Sequence, residues 1–285
     1  MCLFITIHSV DSAIGRLDKD SLPMLALMEL LIDGILNKHL ISGDSSEPKP
    51  IHEWKGVVMH NDKVVAVEWI GLRLKGSLSL EYLPSGLSSF SVYYNSLTGT
   101  IDLVGLPLEL KELFLNSNSF SNTVSLESLP KNLEILSFAN NHLNGTLYLD
   151  GLPGPLISVH ANNNLFCGSV NLLHLPAALT ILSLSMNQLS GAVDLTRLPD
   201  RLRVLSLDCN KFSGVLDLTR LPRGMSELLL QGNSFSGSID LSTLPSSLSS
   251  LKLQNNQLLG DVYIQENLFN KVHIEKTKIQ KFVCD

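Results

Sequence analysis

Short runs in which apolar and polar residues alternate recur along most of the chain. In "LSSLKL", Leu251 and Leu253 flank Lys252, so the leucines share one side and the lysine points to the other. Period two predicts a short strand with one buried face, here with Leu248 entering the same core. A second alternation follows in each unit, as in Ile239 and Leu241 or Val193 and Leu195. It predicts a second extended segment on the back. Near the N-terminus the period changes. In "DSLPMLALMELLIDGILNK", residues 20 to 38, Met24, Leu27, Met28, Leu31, Ile32 and Ile35 fall on one helical face, with Glu29 and Asp33 on another. Ser21 is the expected N-cap and Pro23 lies in the first turn.

The strand-like units repeat with a fixed step. Leu-Pro pairs place prolines at Pro84, Pro107, Pro130, Pro153, Pro176, Pro199, Pro222 and Pro245, always 23 residues apart. Asn95, Asn118, Asn141, Asn164, Asn187, Asn210, Asn233 and Asn256 keep the same step. Four residues after each asparagine comes a glycine, from Gly99 to Gly260, with Asn122 replacing it once. No insertion breaks the register over eight copies. A ninth, imperfect copy comes first, "VVAVEWIGLRLKGSLSLEYLP", with Leu72 where the asparagine belongs. Terminal repeats lack a neighbour on one side and are expected to depart from the pattern.

One short strand per unit must pair with the same strand of the next unit. That predicts a parallel sheet with about 4.8 Å between turns, and nine turns then span roughly 40 Å. After the strand the chain turns inward and its backbone groups need partners. An asparagine amide carries both donor and acceptor, so stacked asparagines can bond the backbone of their own turn and the next. Leu97, Phe120, Leu143, Phe166, Leu189, Phe212, Phe235 and Leu258 follow as core filler. The glycine permits a positive φ, and the Leu-Pro stops strand pairing. A back of extended segments is nearly as narrow as the front, which predicts gentle curvature.

The unit L-x-x-L-x-L-x-x-N-x-[LF]-x-G-x-[LIV]-x-L-x-x-L-P resembles the leucine-rich repeat. In its 23-residue, Leu-Pro-rich form it looks like the repeat proteins of kinetoplastid protozoa, and its L-x-G portion resembles plant receptor repeats. The resemblance implies a repeat solenoid, a horseshoe that is mainly β, with a parallel concave sheet, an extended or 3-10 convex side and an N-terminal helical cap. The expected division is 1–63 for cap and lead-in, 64–264 for nine repeats and 265–285 for a C-terminal cap. Helix, loop and "HEWKGVV" resemble the N-terminal cap of extracellular plant-type repeats, without that cap's cysteine pairs. The last 15 residues, "KVHIEKTKIQKFVCD", leave the register and are expected to add a strand or two over the last core layer. Lys271, Lys276, Lys278 and Lys281 would guard that edge against further pairing.

Composition narrows the function. Hydrophobic residues make up 44% and charged residues 17%, which excludes a disordered chain. The net charge of −6 argues against nucleic acid as partner. No apolar run is long enough for a membrane span. "MCLFITIHSV" lacks a basic leader region and reads poorly as a signal peptide. Cys2, Cys167, Cys209 and Cys284 fit no metal or redox spacing, which favours a reducing, intracellular location. No phosphate loop, nucleophile elbow or paired-carboxylate motif is present, and no cofactor is implied. His142, His160, His174 and Cys167 occupy neighbouring repeats but different register positions, so a metal site is not expected. Asn144 heads the sequon Asn-Gly-Thr.

In such an architecture partners meet the residues between the front-strand leucines. One candidate patch is Tyr93, Tyr94, Phe114 and Ile135. A second is Ile181, Val204, Asp208 and Leu229 with Glu227. Glu112, His160 and Lys252 complete the candidate concave surface. On the back, Arg197 and Arg220 stack by register, with Arg201 and Arg223 near and Asp194, Asp200 and Asp217 between them. The expectation is a monomeric, non-catalytic module that binds a protein partner. Its alternatives are the substrate-recognition arm of a multi-subunit enzyme such as a ubiquitin ligase, and a secreted or surface structural protein.

Overall fold

The computed structural model describes residues 19–44 and 49–284. The apolar N-terminal stretch with Cys2, and residues 45–48 of the loop before the first repeat, lie outside them. The leucine alternation becomes an 11-stranded front sheet. Its repeat strands run from Ser89–Ser91 to Ser250–Lys252, preceded by Lys63–Glu68 and followed by Val272–His273. Neighbouring turns pair in parallel on the sequence period, Ser158 with Ile181 and Ile181 with Val204. The middle residue of every repeat strand, such as Phe90, Val159 or Leu228, is fully buried. Val57–His60 pairs antiparallel with Lys63–Glu68 and closes the first edge.

The second extended segment is not where the alternation at Ile239 and Leu241 placed it. A ten-stranded sheet lies on the flank, built from the residues just before the glycine, as at Ser234–Gly237. Ile239 and Leu241 are buried, yet they belong to no strand. The glycine column redirects the chain between the two, with φ between 78° and 101° at every glycine and 68° at Asn122. Behind it, an Asx turn bends the back. The Asp240 carboxylate accepts the Ser242 N–H at 2.9 Å, as Asp194 and Asp217 accept those of Thr196 and Thr219. The corner back to the front is a turn in which the proline carbonyl accepts the N–H of the buried residue three on, Leu202 to Pro199 and Met225 to Pro222 among them.

The asparagines form the expected ladder, with one change of direction. Each Oδ1 accepts a backbone N–H from the preceding turn, not the next. Asn187 accepts from Phe166 at 3.0 Å. Its Nδ2 donates to Ala161 O of the preceding turn and to Leu184 O and Ser185 O of its own. The same set recurs from Asn95, which takes Leu74 N–H and reaches Trp69 O, to Asn256, which takes Phe235 N–H and reaches Leu230 O. Leu72 then needs no amide, because no repeat precedes it. At the other end Thr277 turns its hydroxyl to Ile274 O within its own turn.

The N-terminal helix is shorter than its period suggested. It spans Met24–Ile32 with Pro23, not Ser21, at the N-cap position, after a 3-10 turn at Lys19–Ser21. Leu27, Met28, Leu31 and Ile32 are buried as the periodicity required. Gly34 ends it by meeting the first repeat, where Ile35 bridges Gly76 and Ser77 N–H donates to Gly34 O. Trp54 and Trp69 are buried, and their indole N–H groups donate to Lys49 O and Lys55 O. At the C-terminus Val272–His273 joins the front sheet, and Lys278–Cys284 pairs in parallel with Gln257–Gln265.

Candidate binding surface

Three rows of side chains face out from the front sheet, one residue per turn in each. The first row runs Ser89, Glu112, Ile135, Ser158, Ile181, Val204, Glu227 and Ser250. The second runs Ser91, Phe114, Ser137, His160, Ser183, Ser206, Leu229 and Lys252, on the same pairings. Tyr93, Asn116, Asp208, Gln231 and Gln254 belong to the third, two residues further on. Strand pairing fixes these rows, so diagonal neighbours are fixed as well.

The register joins the two expected patches. Tyr93, Phe114 and Ile135 step diagonally across three turns. Ile135, Ser158, Ile181 and Val204 then run along the first row, and Leu229 lies diagonally beyond. The result is one apolar band across seven turns, roughly 29 Å long at the turn spacing. Each of its members is half-buried or exposed except Ser158, which is buried. Glu112 and Glu227 flank the stretch Ile135 to Val204 of the first row, and the Ser89 hydroxyl donates to Glu112 Oε2 at 3.0 Å.

Tyr94 does not share this face. It takes φ 63° on the bend that leaves the sheet, and its ring lies beside Gly71 of the preceding turn. Every turn has a positive-φ residue there: Gly71, Tyr94, Ser117, Asn140, Asn163, Met186, Cys209, Gly232, Asn255 and Lys276. Left-handed backbone swings the side chain away from the strand direction. The signal was present in the sequence, since Gly or Asn fills five of these positions. The described residues of the cap pack on the flank and back of the first turns and leave Tyr93 open, at 37% exposure.

Two titratable groups lie beside the band. Burial lowers the His160 pKa, which favours the neutral ring. Burial also raises the Asp208 carboxyl, against opposing hydrogen bonds and the attraction of Lys252. The signs for stability are opposite. The His160 contribution is present above the ordinary histidine pKa and lost as pH falls through the lowered one. Asp208 contributes below the ordinary carboxylate pKa, and that contribution is lost as pH rises through the raised one. Gln231 Oε1 and Gln254 Oε1, in the same row as Asp208, are buried acceptors with no hydrogen-bond partner among the described residues.

The remaining chemistry disperses. His160 is on the front, His142 begins a flank strand, and His174 is on the back with Nδ1 3.0 Å from Asp150 Oδ1. Among the described residues no three His, Cys, Asp or Glu side chains converge as metal ligands. Cys167, Cys209 and Cys284 are free thiols. No described helix is long and apolar enough to cross a membrane.

Parallel turns, a stacked asparagine ladder and a concave sheet are all on one chain. The fold is the leucine-rich repeat solenoid. No family model and no curated protein matches the sequence. Solved structures match the fold. A plant peptide hormone receptor, RGFR1 in complex with RGF2, is 22% identical with a TM-score of 0.62, over 79% of this chain and 38% of the receptor chain. A plant ice-binding protein is 19% identical with a TM-score of 0.62, over 92% of this chain and 95% of its own. A TDR receptor is 21% identical with a TM-score of 0.52, over 77% of this chain and 44% of its own. This leucine-rich repeat chain thus spans about two fifths of the receptor chains it resembles.

Proposed function

We propose that this protein is a non-catalytic, monomeric scaffold of the kinetoplastid-like repeat type whose front face binds another protein, inside the cell. The observation that carries this is the apolar band from Tyr93 to Leu229, interrupted by Ser158, on a rigid sheet. Aromatic and aliphatic anchors set in a polar surround are what protein interfaces concentrate their energy on. The peptide-hormone complex of the receptor RGFR1 offers a parallel in fold. A combined Tyr93→Ala, Phe114→Ala and Ile181→Ala variant should lose at least tenfold in recovery of the partners captured by the native protein. A flank variant, Ser190→Lys with Ser213→Lys, should keep them. Equal recovery by both variants would sink the front-face reading. Glycan at Asn144 on protein from its native cell would overturn the location.

A second reading rests on the flank. Two adjacent columns there, Thr98, Ser121, Asn144, Cys167, Ser190, Ser213, Ser236 and Thr100, Thr123, Thr146, Ser169, Ala192, Val215, Ser238, carry no charge in seven turns. They form two columns of mostly hydroxyl side chains on either side of the glycine bend, each with about 4.8 Å between turns. Such spacings are on the scale of the oxygen repeats in ice, and the plant ice-binding protein matches nearly the whole chain in fold. This reading expects the native protein to inhibit ice recrystallisation and Thr123→Lys with Thr146→Lys to abolish it. Recrystallisation at the rate of an albumin control rejects it.

A further inference from the structure

Five of the seven arginines fall between residues 197 and 223: Arg197, Arg201, Arg203, Arg220 and Arg223. The fold gathers them on one corner, where the back of turns six to eight returns to the front. Arg197 and Arg220 occupy the same place in consecutive turns, about 4.8 Å apart in backbone. Arg201 and Arg223 follow in the proline-to-leucine turns closed by Leu202 N–H to Pro199 O at 2.9 Å and Met225 N–H to Pro222 O at 3.0 Å. Arg203 precedes Val204 of the apolar band, and its backbone is pinned by bonds to Thr180 O and from Ser226 N–H. All five side chains are exposed, and none has a hydrogen-bond or ion-pair partner among the described residues.

The nearby carboxylates offset the cluster only in part, since Asp194, Asp200 and Asp217 bring three negative charges against five positive ones. Asp194 and Asp217 are turned into their own loops, where each accepts the N–H and the hydroxyl of Thr196 or Thr219. Those hydrogen bonds, with a lesser contribution from Arg197 and Arg220, hold both carboxyls below their ordinary pKa. Asp200 shares a shallow groove with Thr196, Arg220 and Arg223. The flanking equivalents of Arg197 and Arg220 are His174, engaged by Asp150, and Thr243. Within a chain of net charge −6, this corner keeps an excess of two positive charges. It is built of guanidinium groups; the one lysine in the interval, Lys211, lies on the flank and donates to Gln188.

We propose that this corner docks a phosphorylated segment of a protein partner. Guanidinium forks match phosphate oxygens two at a time, which an ammonium cannot do. A phosphoserine brings about −1.5 to −2 charges, where an exposed carboxylate brings one and gains little from a surface pair. The position next to Val204 lets one ligand reach both the arginines and the apolar band. The inference leans on the front-face reading only in supposing that a protein carries the phosphate.

The test uses a fluorescein-labelled peptide bearing two phosphoserines two residues apart, titrated with the full chain by anisotropy at low salt. The native protein should bind it, and the unphosphorylated peptide should not bind. Arg201→Gln with Arg220→Gln and Arg223→Gln should weaken binding at least tenfold, and the matching Arg→Lys variant at least fivefold. Lys131→Gln, which removes an exposed cation at the register position of Arg223 four turns away, should leave peptide binding unchanged. Equal binding by the lysine variant refutes recognition by guanidinium. Equal binding by the glutamine variant, or binding to vesicles containing a phosphoinositide with none to the peptide, refutes the site.

Discussion

Asn187→Leu should be among the most damaging single substitutions in the molecule. The leucine has a similar volume but removes four hydrogen bonds at once, from Phe166 N–H and to the carbonyls of Ala161, Leu184 and Ser185. The site is buried, so water does not replace them. Each stranded backbone group costs about 1–3 kcal/mol, which puts the total on the order of 5 kcal/mol. In a solenoid each turn is held mainly by its neighbours, so the loss divides the array into two weakly coupled halves. Urea unfolding should show a lower midpoint and a second transition. Asn162→Ala, on the front face, should stay within about 0.5 kcal/mol of native. An Asn187→Leu midpoint equal to that of Asn162→Ala would remove the ladder as a source of stability.

Gly76→Ala should release the N-terminal cap while leaving distant turns intact. Gly76 has φ 100°, and an added Cβ would stand 2.1 Å from Gly34 O and 3.0 Å from Leu36 N. Both are backbone atoms of the segment that docks the cap, held by Leu36 N–H to Lys75 O and Ser77 N–H to Gly34 O, each at 2.9 Å. The cap must move, exposing Leu31, Ile32 and Ile35 at about 1.5–3 kcal/mol per side chain. Hydrogen exchange should show Met24–Ile32 losing protection while Ser158–His160 through Glu227–Leu229 keep theirs. Gly151→Ala is the control. It also has positive φ, 84°, but nothing lies within 4 Å of the new carbon, so only the left-handed penalty of about 1–2 kcal/mol applies. If the two variants protect the helix equally, the Gly34–Gly76 approach does not hold the cap.

The sequence made some parts of this molecule legible and hid others, for physical reasons. Strand positions, buried leucines and the asparagine column follow from a 23-residue period without gaps. The flank sheet did not announce itself. Its strands, such as Gln188–Gly191, are short, rich in serine and end on glycine, a composition poor in strand formers. They exist because stacking brings each turn's backbone to the next, which no side-chain pattern records. Tyr94 and Phe114 look like neighbours in a list of aromatics, yet a positive φ sends the first away from the sheet. Conversely, Ile135 and Ile181 looked like members of separate patches. Lateral pairing through Ser158 joins them. The five arginines were visible as residues, but their lack of partners was not, because the Asx turns that occupy Asp194 and Asp217 are a property of local backbone.

The asparagine ladder points one way, and this gives the molecule a polarity. Every asparagine completes the interior of the turn made before it. A chain leaving the ribosome therefore always carries one unfinished turn at its growing end, and each new turn seals the last. Adding a copy of the unit in the middle preserves the rule at both junctions. Cutting the chain after any asparagine-bearing turn leaves a layer whose inward backbone nothing closes, while in this chain the backbone of Val272–His273 and Lys278–Cys284 pairs with the last such turn. Growth and trimming of this solenoid are thus unequal at its two ends: the first turn is finished by its successor, while the last needs a lid.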